Sequence, residues 1–233
     1  MSEFFKFEDT SRDFPYYRQN PKISKIAWIV LLLTIPISFW VYKKFPVESE
    51  ILRSILFALV LLLPLMYFSN WDFSLIFHKP TKSEIKLAVI LFVGYLIYAF
   101  AIGEVLNAFG QNTVVTGNYY GLNGEILFSL VFSMLAEELI KFIPIMFFMR
   151  FVFKFTNDRK LSLVVSSTIV LIFFGLIHYD PAVNTIIYAL LIPGLGSIFE
   201  LYGYVKTKNL FVPYLCHLLT DVSLFLLMLL RGG

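Results

Sequence analysis

Apolar residues in this chain neither alternate nor form stripes; they run. Seven stretches, about 26 to 42, 51 to 69, 84 to 106, 124 to 149, 161 to 178, 184 to 205 and 210 to 230, are apolar on nearly every side and are separated by polar or basic turns. A helix needs about 20 such residues to cross a hydrocarbon core roughly 30 Å thick. Barrel strands would show ~10-residue segments of alternating polarity, which IVLLLTIPI and LVLLLPLM do not. The pattern predicts an all-α, polytopic transmembrane helix bundle of about seven spans. Prolines 36, 64, 144, 193 and 213 fall within or at the ends of these spans, where kinks are expected because neighbouring helices can satisfy the freed backbone groups.

Composition supports that class: 58% of the 233 residues are hydrophobic, 15% are charged, and the mean hydropathy is +0.78. A net charge of +3 is too small and too dispersed to imply a nucleic-acid partner. Cys216, the single cysteine, excludes an internal disulfide and any multi-thiolate metal site. The first 22 residues are polar and mixed in charge, unlike a cleavable signal peptide. Residues 1–23 are therefore expected to be a cytoplasmic tail facing water, and residues 24–233 one membrane domain.

Basic residues set the expected orientation. Placing the N-terminus inside puts fourteen of the nineteen Lys and Arg residues on the cytoplasmic side. Lys43, Lys44, Arg53 and Arg231 remain outside, and the connection NAFGQNTVVTGNYYGLNG carries none. The chain reads as N-in and C-out, and the composition of its tail and its compactness suggest a bacterial plasma membrane.

Lys141 is left over, within the membrane, in MLAEELIKFIP beside Glu137 and Glu138. The two acids lie about 20 Å from either mouth of the fourth span at 1.5 Å per residue. Each costs at least about 2.5 to 3.5 kcal/mol there unless compensated. Lys141, four residues from Glu137 and three from Glu138, can reach either. Read alone, such a pair fastens helices together. Two further spans carry ionisable groups in apolar surroundings: His178 in FFGLIHYD, and His217 with Asp221 one turn later in PYLCHLLTD. Convergence around one wet cavity would let these groups neutralise one another, whereas separately each would face lipid. Such a cavity holds a catalytic kit, because a carboxylate can take a proton from water while imidazoles bind a metal or stabilise an oxyanion.

The order of these motifs resembles the CAAX-protease and bacteriocin-processing family of intramembrane proteases, also called type II CAAX endopeptidases or the Abi family. That family shows EExxxR, then FxxxH, then HxxxN or HxxxD. Here Glu137-Glu138 is followed by Phe174 to His178 as FGLIH and His217 to Asp221 as HLLTD. The stretch GLGSIFELYGYVKTKNLFVPYLCH is similar to the family's segment before its last motif, and the resemblance covers about 124–225. One departure is plain: Phe142 stands at the arginine position, and Lys141 gives EExxK, a pattern closer to the PrsW-type proteases that act on membrane-bound anti-sigma factors.

The resemblance implies endoproteolysis of a membrane-associated protein or peptide. It implies Glu137 as the base that activates water, Glu138 as its partner or support, and His178, His217 and Asp221 as assisting groups, with Lys141 and Phe174 supporting. If a metal is used, the implied ligands are His178, His217 and Asp221 around Zn²⁺ with an open position for water; a metal-free glutamate–histidine mechanism is the alternative. The expected span edges place His178 near the outer end of its helix and His217 about 10 Å from the inner face, so straight upright helices would keep them apart. Glu200, in SIFELYGY, either faces the same cavity or, the reading preferred here, snorkels to the interface. Glu104 is read as interfacial, and Asp180 and His78 as loop residues.

Two rival functions stay open. A proton- or ion-coupled transporter could use the same groups, although no repeated halves are visible. A silent scaffold or bacteriocin self-immunity protein could use the cluster only to hold helices together.

Overall fold

The computed structural model describes residues 3–111 and 123–231, and among these every regular element is helical. Residues 112–122, most of the connection whose lack of basic residues entered the orientation argument, lie outside the described residues.

The helices are α1 (Lys25–Lys44), α2 (Glu50–Phe68), α3 (Lys82–Ala108), α4 (Gly124–Thr156), α5 (Arg159–Ile177), α6 (Ile186–Ala189), α7 (Ile198–Thr207) and α8 (Phe211–Arg231). Each of the first six begins where the sequence supplies a polar cap: the side chains of Ser24, Ser49, Thr81, Asn123, Asp158 and Thr185 accept a backbone N–H two or three residues into their helices. At Thr81 the cap is reciprocal, with Glu84 reaching back to the Thr81 N–H. Two helices stop at residues in left-handed conformation, Asn157 after α4 and Lys208 after α7.

Six helical segments are long and apolar enough to cross a membrane: α1, α2, α3, α5, α6 through α7, and α8. The chain is an integral membrane protein of the polytopic helical kind. With α4, which is kept from that group by its own charged residues, the count is the expected seven. α4 has 33 residues, running past the expected edge at 149, and is buried at most positions from Met134 to Met149. It is the central post, packed against α1, α2, α5 and α8, while α3 lies against α7 and α8. The sixth span is not one helix. α6 passes into a π-helical turn over Leu190–Leu195 that contains Pro193, whose missing N–H cannot continue an α-helical ladder. Against this turn α5 crosses with backbone nearly touching backbone: a Cβ added at Gly175 would sit 2.7 Å from the Ala189 carbonyl oxygen and 3.1 Å from Gly194 Cα.

The segment expected to be a solvated tail packs beneath the bundle. Phe14, Tyr16, Tyr17 and Ile23 are buried. Tyr16 lies edge-on to Trp28 and Phe142, and its hydroxyl is 2.8 Å from that of Ser69. Glu8 accepts two hydrogen bonds from the Arg159 guanidinium, at 2.6 and 2.9 Å, and pairs with the Lys208 ammonium at 2.8 Å. Arg159 also donates to Asp13 at 2.9 Å. This buried ionic knot ties the segment to the start of α5 and to the turn between α7 and α8. That turn is itself sunk: Lys208, Asn209 and Leu210 are buried beneath residues 8–9 and the α2–α3 loop, whose Ile76 carbonyl accepts from Leu210 N–H.

These two features remove the depth conflict between His178 and His217. α4 and α5 are antiparallel and joined by a two-residue turn, and Glu137 to Thr156 is the same length as Arg159 to His178. His178 at the end of α5 is therefore level with Glu137 along α4. His217, one and a half turns into α8, is counted from a turn that is already inside the protein.

Candidate active site

The groups that meet at mid-bundle come from four helices. Glu137 and Glu138 lie on α4, His178 caps the C-terminus of α5, Glu200 lies on α7, and His217 and Asp221 lie on α8. All of these but Glu138 border a cavity of about 250 Å³, also lined by Tyr95, Tyr188, Ser197 and Thr220. At about 30 Å³ per water, that is space for several waters or one peptide segment.

Two side chains face the cavity with fixed orientations. The Nδ1 of His178 is 2.8 Å from the Phe174 carbonyl oxygen. A carbonyl can only accept, so Nδ1 carries the proton and Nε2 is turned to the cavity. The turn after it is held by Asn184, whose amide donates to the His178 carbonyl at 2.9 Å. The Nδ1 of His217 is 2.7 Å from Glu138 Oε1. That carboxylate likewise accepts, leaving Nε2 free. Both Nε2 atoms look toward Glu137 Oε2, at 3.5 Å for His178 and 3.8 Å for His217. These separations are longer than a strong hydrogen bond and place both rings within ion-pair range of the carboxylate. Asp221 Oδ2 is 3.9 Å from His217 Nε2, one helical turn along α8.

Phe174 sits at the hinge of the arrangement. Its ring lies 4.5 Å from the imidazole of His178 and 6.4 Å, edge-on, from that of His217, with the Lys141 ammonium 4.5 Å from its centroid. Lys141 pairs with Glu138 at 2.6 Å and with Glu200 by a close contact. Of the sequence candidates, Glu137, Glu138, His178, His217, Asp221, Lys141 and Phe174 all come together.

Glu200 differs from the preferred reading. It is 3% exposed and bonded to Lys141, where snorkelling would place it at the interface. The burial of the α7–α8 turn under the N-terminal segment makes its position deep. Tyr95, Tyr188, Ser197 and Thr220 were not singled out, because uncharged residues in apolar spans give no signal of their own.

The implied zinc set does not close. Among the described residues the group whose donor atoms lie within 4.8 Å of one another is Glu138, Glu200 and His217, and not His178, His217 and Asp221. Zinc holds its nitrogen and oxygen ligands at about 2.0–2.2 Å, so its donors must crowd more tightly than the implied three do. Within the group that does cluster, the Lys141 ammonium already bonds both carboxylates. As arranged, these residues form an ammonium-neutralised cluster and not a zinc site.

Residues 120–223 match the model of a family described as Rce1-like, type II CAAX prenyl endopeptidase. The segment is similar to that family. The match bears out the motif resemblance and runs from before α4 to just past Asp221, so Glu137, Glu138, Lys141, Phe174, His178, Glu200, His217 and Asp221 fall inside it. The matched segment, a little under half of the chain, supports a CAAX-type intramembrane endopeptidase in general terms. Comparison with curated proteins returned no match, and comparison with solved structures returned none.

Proposed function

We propose that the chain hydrolyses a peptide bond of a membrane-associated protein or peptide, using water activated by Glu137. The observation that carries this reading is the convergence of two imidazole Nε2 atoms on the Glu137 carboxylate across one cavity. A water in the cavity that these three side chains line would lie within reach of the carboxylate and of the rings.

In the proposed reaction the water oxygen attacks the scissile carbonyl carbon while Glu137 takes the water's proton. Charge develops on the carbonyl oxygen, and His178 or His217, when it carries a second proton on Nε2 as an imidazolium paired with Glu137, donates that Nε2–H to it. Glu137 then returns the proton to the leaving nitrogen as the C–N bond breaks. Glu138 acts on the ring of His217, fixing its tautomer and aim. Asp221 flanks the same ring from the cavity side. Phe174 holds both imidazoles in place by contact. No step is routed through a metal.

The family's description supports a prenylated C-terminal CAAX peptide as the first substrate to try. The proposed setting is a bacterial plasma membrane with the N-terminus in the cytoplasm, where the basic residues of the N-terminal segment and the α4–α5 turn favour it.

A second reading has one observation in its favour. Glu138, Lys141 and Glu200 neutralise one another, as helix-fastening groups in a silent scaffold would. Purified protein in liposomes, incubated with a farnesylated CAAX peptide and analysed by mass spectrometry, separates the readings. A new C-terminus produced by the wild type supports the endopeptidase. An ion flux without cleavage points to a transporter, and neither activity points to the scaffold.

A further inference from the structure

The ammonium of Lys141 and the imidazole of His217 share one oxygen. Glu138 Oε1 lies 2.6 Å from Lys141 Nζ and 2.7 Å from His217 Nδ1. Glu200 stands opposite, with one oxygen bonded to the same ammonium and the other 4.0 Å from His217 Nδ1. All four side chains are at most 10% exposed. In so dry a setting an ammonium held by one carboxylate alone would draw that carboxylate fully to itself.

We infer that Glu200 is a positioning residue: by binding the Lys141 ammonium it leaves Glu138 free to hold His217, and so aims His217 Nε2 at Glu137. This rests on the endopeptidase reading for its consequence in turnover, but the geometry it describes stands without substrate. It also gives a physical role to the EExxK departure. Lys141 is one residue short of the family's basic position, and it is the α7 acid, outside all three motifs, that balances it.

The arrangement makes a specific claim about pairs. Glu200→Gln leaves Lys141 with Glu138 as its one anion, so the shared oxygen is pulled off His217. Lys141→Met leaves two carboxylates facing each other around His217 with no cation between them. Removing both charges together, in Lys141→Met/Glu200→Gln, leaves Glu138 with His217 alone and restores the bond. Breaking one member of a buried ion pair is costly, whereas replacing both is often close to neutral.

The test is a double-mutant cycle in purified, monodisperse protein, with turnover expressed per folded molecule and a quenched farnesylated CAAX peptide as probe. Each single substitution is expected to lower kcat at least about tenfold with KM within about twofold, and the double variant to recover to within about threefold of wild type. Glu200→Asp is expected to lie between wild type and Glu200→Gln. A substrate-free readout accompanies it: in protein carrying ¹⁵N-histidine, the Nδ1–H signal of His217 is expected to be lost or shifted in Glu200→Gln and to return in the double variant. The inference is overturned if Glu200→Gln keeps both that signal and its kcat. It is equally overturned if the double variant shows the product of the two single losses, or if the singles lose only folded protein and not turnover. Glu137→Gln run alongside separates the two levels. Wild-type cleavage by that variant, or no cleavage by the wild type, removes the endopeptidase reading and leaves the NMR signal to decide on Glu200. A dead Glu137→Gln beside unaffected Glu200 variants removes this inference alone.

Discussion

His217 Nδ1 donates to Glu138 Oε1 at 2.7 Å, a bond between residues of α4 and α8 that are 79 positions apart in the chain. It makes the second glutamate of the pair an orienting group for an imidazole, while the first faces the cavity. Replacement of Glu138 by Leu, which cannot accept, is expected to lower the rate of peptide cleavage on the order of 10²-fold, the scale of a positioned acid–base group. Glu138→Gln, which keeps an acceptor oxygen, is expected to lose less. Steady-state rates on a farnesylated CAAX peptide check both.

The close crossing of α5 on the π-helical turn gives a packing prediction. A side chain at Gly175 has no room beside the Ala189 carbonyl and the Cα atoms of Leu190 and Gly194. Gly175→Val is expected to destabilise the protein by about 1–3 kcal/mol, as overpacking does, and to displace the end of α5 with His178. Thermal unfolding in detergent would show the first effect, and loss of cleavage disproportionate to loss of folded protein the second.

Most of this fold was legible in the sequence. Long apolar runs mark the spans because lipid leaves a chain no other way to satisfy its backbone, and the polar residues before them mark the caps. The convergence of Glu137, Glu138, His178, His217 and Asp221 was legible too, since separately buried charges are expensive. The position of Glu200 was not. It depends on the turn at Lys208–Leu210 being covered by the N-terminal segment, a contact between residues 199 positions apart that no local pattern announces. The same contact hid the level of His217. Polarity made residues 1–23 look solvated, yet Glu8 and Arg159 satisfy each other in the interior, and composition cannot distinguish that from exposure to water.

The ionic knot at Glu8 gives the N-terminal segment a pH dependence. Burial opposes ionisation of Glu8, but the hydrogen bonds from Arg159 and Lys208 outweigh it and hold the carboxyl below its usual value of 4.5. A depressed folded pKa means that the stabilisation is complete above about pH 4.5 and is lost as pH falls through the folded value. Residues 3–24 are therefore expected to become sensitive to limited proteolysis in acid and to be protected near neutrality. Glu8→Gln, which removes the carboxylate that Arg159 and Lys208 share and leaves them Asp13 and the Asp9 carbonyl, is expected to loosen the segment at neutral pH and raise its sensitivity to limited proteolysis.

The arrangement of donors gives an expectation for metals. With Lys141 bonded to both clustered carboxylates, and with His178, His217 and Asp221 too dispersed to close around zinc, prolonged dialysis against a chelator is expected to leave the cleavage rate within about twofold. Elemental analysis of the purified protein is expected to find less than stoichiometric zinc. Loss of activity on chelation, restored by zinc, would contradict this.

The central claim is that Glu137 activates water between two imidazoles. Its most direct measurement is the single-turnover rate of farnesylated peptide cleavage by Glu137→Gln compared with wild type, in protein shown by thermal unfolding to be equally folded. Glutamine keeps the shape but cannot take the water's proton, so the rate is expected to fall by about 10²-fold or more with peptide binding retained. Cleavage at an undiminished rate would contradict the assignment of Glu137 as the base.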